Sequence, residues 1–286
     1  MLSPFSAFLQ YLLPKAALTR VAGRLARAHG GTATTWAIRR FITRYGVDMQ
    51  EAADPDPAHY DTFNDFFTRS LRADARPLAQ ADYLCPVDGA ISQFGDVTVG
   101  RILQAKGHTY SVQALLAGDA QLAQPFTNGQ FATLYLSPRD YHRIHMPCAG
   151  RLTQMIHVPG SLFSVNPATA RAIRGLFARN ERLICLFDTA RGPLALVLVG
   201  ATIVGSMATT WHGVVNPPRP GHIRRWTYQE SPIDLPQGAE LGRFLLGSTV
   251  IVLWPRGTLR FDPSWSPGAT VRMGQALGTA REAKKP

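Results

Sequence analysis

Apolar residues near the start of the chain recur at helical spacing in two runs: Leu18, Val21, Ala22 and Leu25, then Ile38, Phe41, Ile42 and Tyr45. Basic residues occupy other faces of both runs, at Arg20, Arg24, Arg27, Arg40 and Arg44. This pattern predicts two basic amphipathic helices within residues 1–50. Such helices can lie in the interface of an anionic membrane, or they can pack on the protein's own core with a solvated basic face.

After residue 50 the hydrophobic pattern changes to short apolar runs rich in β-branched residues. These runs predict strands at Phe131–Leu136, Leu183–Phe187, Leu194–Val204 and Thr249–Leu253. Strand-like pieces within Leu84–Phe94 flank a turn at Asp88-Gly89. The expected fold class is α+β, with a β-rich core in residues 51–286 and the amphipathic helices in residues 1–50.

Two further helices are expected from capping patterns. Thr62 is a plausible cap for a short helix that runs through Phe66-Phe67. Ser137, followed by Pro138 and by Asp140 three residues after Ser137, is typical of a helix start. Pro147 would end that helix soon afterwards.

The charge balance narrows the classes of partner. The chain has 286 residues, a formal net charge of +11 and 45% hydrophobic residues, which indicates a globular protein with anionic partners. Its basic residues are not interleaved with an aromatic recognition motif, so nucleic acid is not an expected partner. The expected anionic partner is a membrane surface. The longest apolar run, Leu194–Gly205, is too short to span a bilayer. Cys85, Cys148 and Cys185 are odd in number and widely spaced, which favours a reducing compartment.

The pair Gly247-Ser248 stands at the mouth of the last predicted strand. Glycine permits backbone conformations that other residues avoid, and a serine hydroxyl next to a peptide carbonyl can attack it. Such an attack would convert an amide to an ester and open a route to chain cleavage. By itself, however, the Gly-Ser-Thr sequence is most often an ordinary strand start.

The segment Asp140–Cys148 carries further candidate chemistry. His142 and His145 are three residues apart, so on the predicted helix they would share a face. One of them could deprotonate a serine, with a carboxylate such as Asp88 orienting the imidazole. Metal binding by the two histidines and Cys148 is disfavoured because Pro147 breaks the helix, so no metal is expected. The chain contains no Gly-x-Ser-x-Gly elbow, no Walker loop and no Gly-x-Gly-x-x-Gly fingerprint.

Five stretches together resemble one known family. They are Ile102–His108, Leu136–Cys148, Phe177–Arg182, Val199–Ser206 and Leu246–Thr249. On these stretches the chain, from about Phe5 to about Gly278, resembles the pyruvoyl-dependent phosphatidylserine decarboxylase proenzymes of bacterial type. The resemblance makes residues 51–286 the catalytic domain and implies a role in phospholipid biosynthesis.

The resemblance implies a self-cleavage in which Asp88, His145 and Ser248 act as a charge-relay set. Ser248 would attack the carbonyl of Gly247, giving a large chain 1–247 and a small chain 248–286. Ser248 would become a covalently bound pyruvoyl group, which serves as the cofactor for converting phosphatidylserine to phosphatidylethanolamine and CO2. His142 would lie near the substrate carboxylate or supply a proton.

The resemblance also implies an assembly and a location. The two chains would form a heterodimer, and association of two such heterodimers is left open. The enzyme would sit peripherally on the cytoplasmic face of the cell membrane. Two other interpretations remain: a hydrolase that uses Ser248, His145 and Asp88 on an external acyl substrate without cutting itself, and a non-catalytic membrane-binding module.

Overall fold

The helices are short and concentrate towards the N-terminus. The computed structural model describes residues 14–202, 206–217, 219, 221–245 and 248–281. The α-helices are α1 (Lys15–Ala26), α2 (Thr32–Tyr45), α3 (Phe63–Phe67), α4 (Val112–Leu115), α5 (Ala120–Ala123), α6 (Pro167–Ala172) and α7 (Leu176–Arg179). The first three confirm the helices expected from hydrophobic spacing and from the Thr62 cap, while residues 1–13 lie outside the described part.

The strands cover most of the remaining chain. The first nine are β1 (Tyr83–Leu84), β2 (Gly89–Asp96), β3 (Arg101–Ala105), β4 (His108–Ser111), β5 (Gln130–Leu136), β6 (Arg143–His145), β7 (Gly150–Val158), β8 (Arg182–Thr189) and β9 (Gly192–Val199). The others are β10 (Met207–Thr209), β11 (Gly213–Asn216), β12 (Arg224–Thr227), β13 (Ile233–Leu235), β14 (Glu240–Phe244), β15 (Ser248–Trp254), β16 (Leu259–Phe261), β17 (Thr270–Val271) and β18 (Ala276–Ala280). The predicted α+β, β-rich fold class is confirmed.

The apolar faces of the two N-terminal helices have different environments. In α2, Ile38 is fully buried in a small core with Phe66 and Phe67 of α3. A capping box between Thr62 and Asp65 fixes the start of α3. In α1, by contrast, Leu18, Val21 and Leu25 are exposed. The boundary expected at residue 50 stays a prediction.

Strand β15 lies in the middle of the largest sheet. Within the described residues that sheet runs β12-β7-β8-β9-β15-β5-β2-β17, with β13 also paired to β7, and every pair is antiparallel. Val250, Val252 and Trp254 enter one buried cluster, and Ile251 and Leu253 enter the cluster on the other face. Burial on both faces explains the uninterrupted apolar run and stabilises the fold by about 1.5–3 kcal/mol for each large side chain.

Smaller sheets bring other parts of the chain to the ends of the large one. The described strands form a sheet β11-β10-β14-β6, a sheet β1-β18-β16 and the hairpin β3-β4. Strand β6 pairs with β14 from Arg143, opposite Arg243, to His145, opposite Glu240. The backbone N–H of His145 also donates to the carbonyl of Pro86 at 2.8 Å, which holds β6 beside the segment that precedes β2.

The helix predicted from Ser137 is wrong. The Asp140 carboxylate accepts from the Ser137 backbone N–H and from its hydroxyl, at 2.6 and 2.7 Å, so the capping pattern closes a turn. The chain then extends into β6, where Ile144 is fully buried. The capping residues form their local bonds without a helix because strand pairing decides the conformation of the residues that follow. His142 and His145 therefore do not share a helix face.

Two other predicted elements need adjustment. The hairpin of Leu183–Phe187 with the strand from Leu194 is confirmed as β8 and β9, but β9 ends at Val199 and not at Val204. Residues 203–205 lie outside the described part. A bend at Val87-Asp88 does separate two strands, β1 and β2, yet these pair with β18 and β5 and not with each other.

Candidate active site

The register of β15, β5 and β2 places Ser248 at the end of the sheet where β2 begins. Ser248 lies opposite Leu136, the last residue of β5, and Thr249 lies opposite Tyr135. On the other side of β5, Tyr135 faces Ala90. Adjacent strands are about 4.8 Å apart, so the backbones of Ser248 and of the β2 start are separated by roughly 10 Å. Gly247 and the side chain of Ser248 lie outside the described part.

Gly89 fixes how Asp88 enters this end of the sheet. Its φ is +156°, and a Cβ at this position would lie 2.3 Å from the carbonyl oxygen of Tyr135. A side chain here would collide with the backbone of the neighbouring strand. Glycine therefore lets β2 approach β5 directly after Asp88, which confirms the bend and places the carboxylate at the strand start.

The Asp88 carboxylate is buried and is held by Arg76. Arg76 Nε donates to both carboxylate oxygens at 3.0 and 3.1 Å, and the backbone N–H of Met273 donates to one of them at 2.8 Å. The same guanidinium donates to Glu51 at 2.7 Å. Burial acts to lower the pKa of Arg76, but the bonds to Asp88 and Glu51 outweigh it and raise that pKa. Arg76 thus stays charged and anchors the Asp88 carboxylate.

His145 is a neutral imidazole with its lone pair on Nε2. Nδ1 lies 2.8 Å from the carbonyl oxygen of Gly238, which can only accept, so Nδ1 carries the proton. Nε2 lies 3.2 Å from the Tyr141 hydroxyl, which then donates to it. Burial lowers the pKa of His145 and raises the pKa of Tyr141 to about 12. The arrangement suits a general base that is already deprotonated at neutral pH.

Asp88 and His145 lie near each other without a hydrogen bond between them in the described structure. The carbonyl of Gly238 takes the position at Nδ1 that the charge-relay interpretation gives to a carboxylate. Asp88 acts on His145 through its charge, which raises the pKa of the imidazole against the larger effect of burial. The role of Asp88 in a relay stays a prediction.

His142, three residues before His145, is fully buried and also neutral. Its Nδ1 donates to the Asp140 carbonyl at 2.7 Å, its ring centroid lies 4.1 Å from that of Phe67, and its Nε2 has no hydrogen-bond partner in the described part of the chain. Burial, assisted by the charge of Arg69, lowers the pKa of His142 to about 3. Nε2 can therefore accept a hydrogen bond from a ligand but has no proton to give.

A cavity of about 290 Å³ opens at this end of the sheet. Tyr141, Gly46, Leu71, Thr270 and Val271 line part of it. The rest of the lining consists of four arginines and four acidic residues: Arg69, Arg76, Arg139, Arg272, Asp48, Glu51, Asp88 and Asp140. Its walls come from the end of α2, the turn after β5, the start of β2 and the strand β17. We call it the arginine cavity.

Comparison with known proteins identifies the family. A family model described as phosphatidylserine decarboxylase matches residues 63–279, and a second, described as PSD, matches residues 5–46. The chain is 66% identical over 269 residues to a phosphatidylserine decarboxylase proenzyme of Azoarcus sp. (strain BH72), covering 94% of this chain and 93% of that protein. A protein of the same name from Delftia acidovorans is 66% identical over 275 residues, covering 96% and 97%. The chain belongs to the phosphatidylserine decarboxylase family.

Family membership makes the chain a decarboxylase, an enzyme of the carboxy-lyase class. It confirms the resemblance inferred from the five motif stretches. Two of those stretches contribute side chains that hold the backbone of this decarboxylase in place. Gln104 bonds to the backbones of Ala170, Ile173 and Leu176, and buried Arg182 donates to four backbone carbonyls.

Sequence reasoning missed three residues of this site. Arg76, which anchors Asp88, and Arg69, which lines the cavity, lie outside the motif stretches. Tyr141 lies inside one of them, between Asp140 and His142, and only this position in the motif indicates that it belongs to the site. Among the described residues, no cluster of three His, Cys, Asp or Glu side chains could hold a metal ion, and no helix is long and apolar enough to cross a membrane.

Proposed function

We propose that this chain is a proenzyme that cuts itself between Gly247 and Ser248 and then decarboxylates phosphatidylserine to phosphatidylethanolamine. The observation that carries the proposal is the register that places Ser248 at the same end of the sheet as Asp88, beside β6 with His145. Two relatives that align with this chain over nearly their whole length are named phosphatidylserine decarboxylase proenzymes, which supports the proposal.

In the self-cleavage, His145 accepts the hydroxyl proton of Ser248 at Nε2. The Ser248 oxygen attacks the Gly247 carbonyl, the peptide bond breaks as its nitrogen takes the proton from His145, and the chains are joined by an ester. Loss of the Cα proton of residue 248 to a base, together with departure of the Gly247 carboxylate, leaves a dehydroalanine. Addition of water to that residue releases ammonia and leaves the pyruvoyl group. The neutral state of His145 fits the role of base, and Tyr141 must release Nε2 for the transfer.

In the decarboxylation, the pyruvoyl group supplies a carbonyl that condenses with the substrate amine and withdraws electrons as CO2 leaves. The chain's own residues shape the surroundings of that reaction. The neutral, buried His142 and the Phe67 ring beside it form a poorly solvating environment, in which a departing carboxylate is favoured over a retained one. His145, protonated in turn, can return a proton to the carbon that loses CO2.

The neighbours of Ser248 fit a new chain terminus at this position. Thr249 to Leu253 are hydrogen-bonded to β9 and β5 on both sides. Further along the small chain, β17 pairs with β2, and β18 pairs with β1. The heterodimer of residues 1–247 and 248–286 is thereby held by sheet pairing after the peptide bond is lost.

We also propose that the enzyme works peripherally on the cytoplasmic face of the cell membrane. Support comes from the exposed face of α1, with Leu25 at 69% exposure, and from Trp36 of α2, which is 67% exposed. Trp36 shares a surface groove with Arg39, Arg40 and Arg44. Tryptophan and arginine together suit the interface of an acidic leaflet, where each basic residue contributes about 1 kcal/mol.

Mass spectrometry of the purified protein tests the cleavage. We expect two chains that divide between residues 247 and 248, with the smaller one blocked at its N-terminus by a carbonyl that borohydride reduces. A decarboxylase assay on phosphatidylserine in mixed micelles completes the test. A single unmodified chain with full activity would disprove the proposal.

A further inference from the structure

Arg69 carries a buried charge without a carboxylate partner in the described structure. The residue is 5% exposed, and its guanidinium makes one hydrogen bond, from Nη2 to the carbonyl of Arg139 at 3.3 Å. Its Nε is buried and has no partner. The ring of Phe66 lies against one face, 5.4 Å from Cζ to the ring centroid. Much of the hydrogen-bonding capacity of this side chain is therefore unused.

Other buried arginines of the same fold show how such a charge is normally accommodated. Arg76 has two carboxylates, Glu51 and Asp88. Arg182 donates from Nε, Nη1 and Nη2 to four carbonyl oxygens at 2.7–2.9 Å. An unpaired buried charge costs several kcal/mol, so structural arginines are surrounded by acceptors as these two are. Arg69 lacks such a set of acceptors among the described residues.

Arg69 is one of the residues that line the arginine cavity. The four carboxylates there are already engaged: Glu51 by Arg76 and Arg272, Asp88 by Arg76, Asp140 by Ser137, and Asp48 by the backbone N–H of Gln50. Arg139 stands at the same cavity with a side chain that is 59% exposed and 3.9 Å from Asp140. The four arginines and four acidic residues of the cavity are equal in number, but among the described residues none of these carboxylates is bonded to Arg69.

We infer that Arg69 binds an anionic oxygen of the phosphodiester in the lipid head group, with Arg139 assisting from the cavity mouth. This assignment rests on the proposed function and deepens it. Guanidinium groups bind phosphate through parallel N–H donors, and the free Nε of Arg69 provides one of them.

The phosphodiester fits Arg69 better than the substrate carboxylate does. The carboxylate loses its charge as CO2 departs, so an arginine bound to it would stabilise the ground state more than the transition state and slow the reaction. The phosphodiester keeps its charge throughout. Binding it anchors the substrate without opposing the chemistry, and leaves the carboxylate to the neutral surroundings of His142.

The test compares cleaved wild-type enzyme with Arg69→Met, Arg69→Lys and the control Arg256→Met. Arg256 is exposed on the turn after β15, so its replacement gives the same change in net charge away from the cavity. We expect Arg69→Met to raise KM for phosphatidylserine in neutral mixed micelles at least tenfold while kcat changes less than threefold. Arg69→Lys should fall between, and Arg256→Met should match the wild type.

Competition by soluble head groups identifies the anion. Glycerophosphoserine should inhibit the wild type, L-serine at the same concentration should not, and Arg69→Met should weaken the inhibition at least tenfold. An Arg69→Met KM equal to that of Arg256→Met, or equal inhibition by L-serine, overturns the inference. Equal inhibition by inorganic phosphate assigns the site to free phosphate and overturns the head-group assignment.

Self-cleavage on a denaturing gel separates this inference from the proposed function. Complete cleavage of the Arg69 variants with a raised KM supports both. Absence of cleavage in the wild type overturns the proposed function itself. If Arg69→Met does not fold, the inhibition series on the wild type and the KM of Arg69→Lys decide the inference by the same criteria.

Discussion

The hydroxyl of Tyr141 lies 3.2 Å from Nε2 of His145 and occupies the lone pair that a general base must offer. The opposite nitrogen is fixed by the carbonyl of Gly238 at 2.8 Å. The imidazole is therefore held in one tautomer and one orientation by two neutral groups. Its readiness to accept a proton depends on the displacement of a single hydroxyl.

Replacing Tyr141 by Phe removes that hydroxyl and leaves the ring. We expect precursor produced by cell-free translation to cut itself at least as fast as the wild type, because Nε2 is no longer occupied. His145→Ala should leave the precursor uncut over the same period, since loss of a general base costs about 10²–10⁴-fold in rate. A Tyr141→Phe precursor that stays uncut would show that the hydroxyl carries the proton and does not merely cover the base.

We expect the pH dependence of the proposed self-cleavage to report the ionisation of His145. Burial lowers its pKa below the usual value of about 6.5, and only the neutral form can accept the proton of Ser248. The cleavage rate should therefore rise with pH, reach half its maximum below about pH 6.5 and stay level around pH 7. A midpoint above that value, measured on freshly translated precursor between pH 4 and 8, would contradict the assignment.

Replacing Ser248 by Ala should give one uncut band on a denaturing gel. The matched control is Ser266→Ala, an exposed serine of the same small chain, which should cut completely. Both variants remove one hydroxyl from residues 248–286, so the comparison isolates the position. Two fragments from Ser248→Ala would refute the cleavage site.

Arg76 should matter more to stability than an exposed arginine that also has a carboxylate partner. In the uncut Ser248→Ala background, Arg76→Met leaves Asp88 buried without its cation, which we expect to lower the free energy of unfolding by about 3–5 kcal/mol. Arg151→Met breaks the exposed pair with Asp234, which solvent screens, and should change the free energy of unfolding far less. Urea denaturation measures both. Equal losses would argue against the anchoring role of Arg76.

The exposed face of α1 can be tested without disturbing the core. Leu18, Val21 and Leu25 are 41%, 55% and 69% exposed, so a triple change to Ser should leave the fold and self-cleavage intact. Flotation with vesicles of phosphatidylglycerol and phosphatidylcholine should show weaker binding. Val99→Ser, at a position 81% exposed on another loop, is the control and should bind as the wild type does. Unchanged flotation of the triple variant would exclude α1 as an anchor.

The central strand and both amphipathic helices were predictable because their hydrophobic spacing agrees with their final environment. The segment from Ser137 was not, since its capping residues bond locally in a turn as readily as in a helix, and pairing of β6 with β14 decides between the two. The motif histidines were recognised as candidate chemistry. The Gly238 carbonyl that binds His145 comes from a distant part of the chain and depends on a tertiary contact that no local pattern encodes. Tyr141, which binds His145, and the Asp140 carbonyl, which binds His142, lie within the motif itself.

The charged residues of the site also differ in how far the sequence indicates them. The candidate role of Asp88 came from the family resemblance, whereas Arg76 is twelve residues away in the chain and has no motif of its own. No sequence pattern marks Arg69, and its role as a candidate follows only from its burial and its unbonded Nε. Sequence therefore indicates which groups can react, and packing determines which of them are neutral, anchored or left without a partner.

Strand β15 has a consequence for how the protein matures. Because it is the middle strand of a large antiparallel sheet, its first residue reaches the end of the sheet near Asp88 only when β9, β5 and β2 are assembled around it. Under the proposed self-cleavage, a chain that has not completed this sheet has no geometry for the cut. The ratio of small chain to precursor would then count the molecules that have folded, and gel densitometry after synthesis would measure the rate of folding of any variant that leaves the cleavage residues in place.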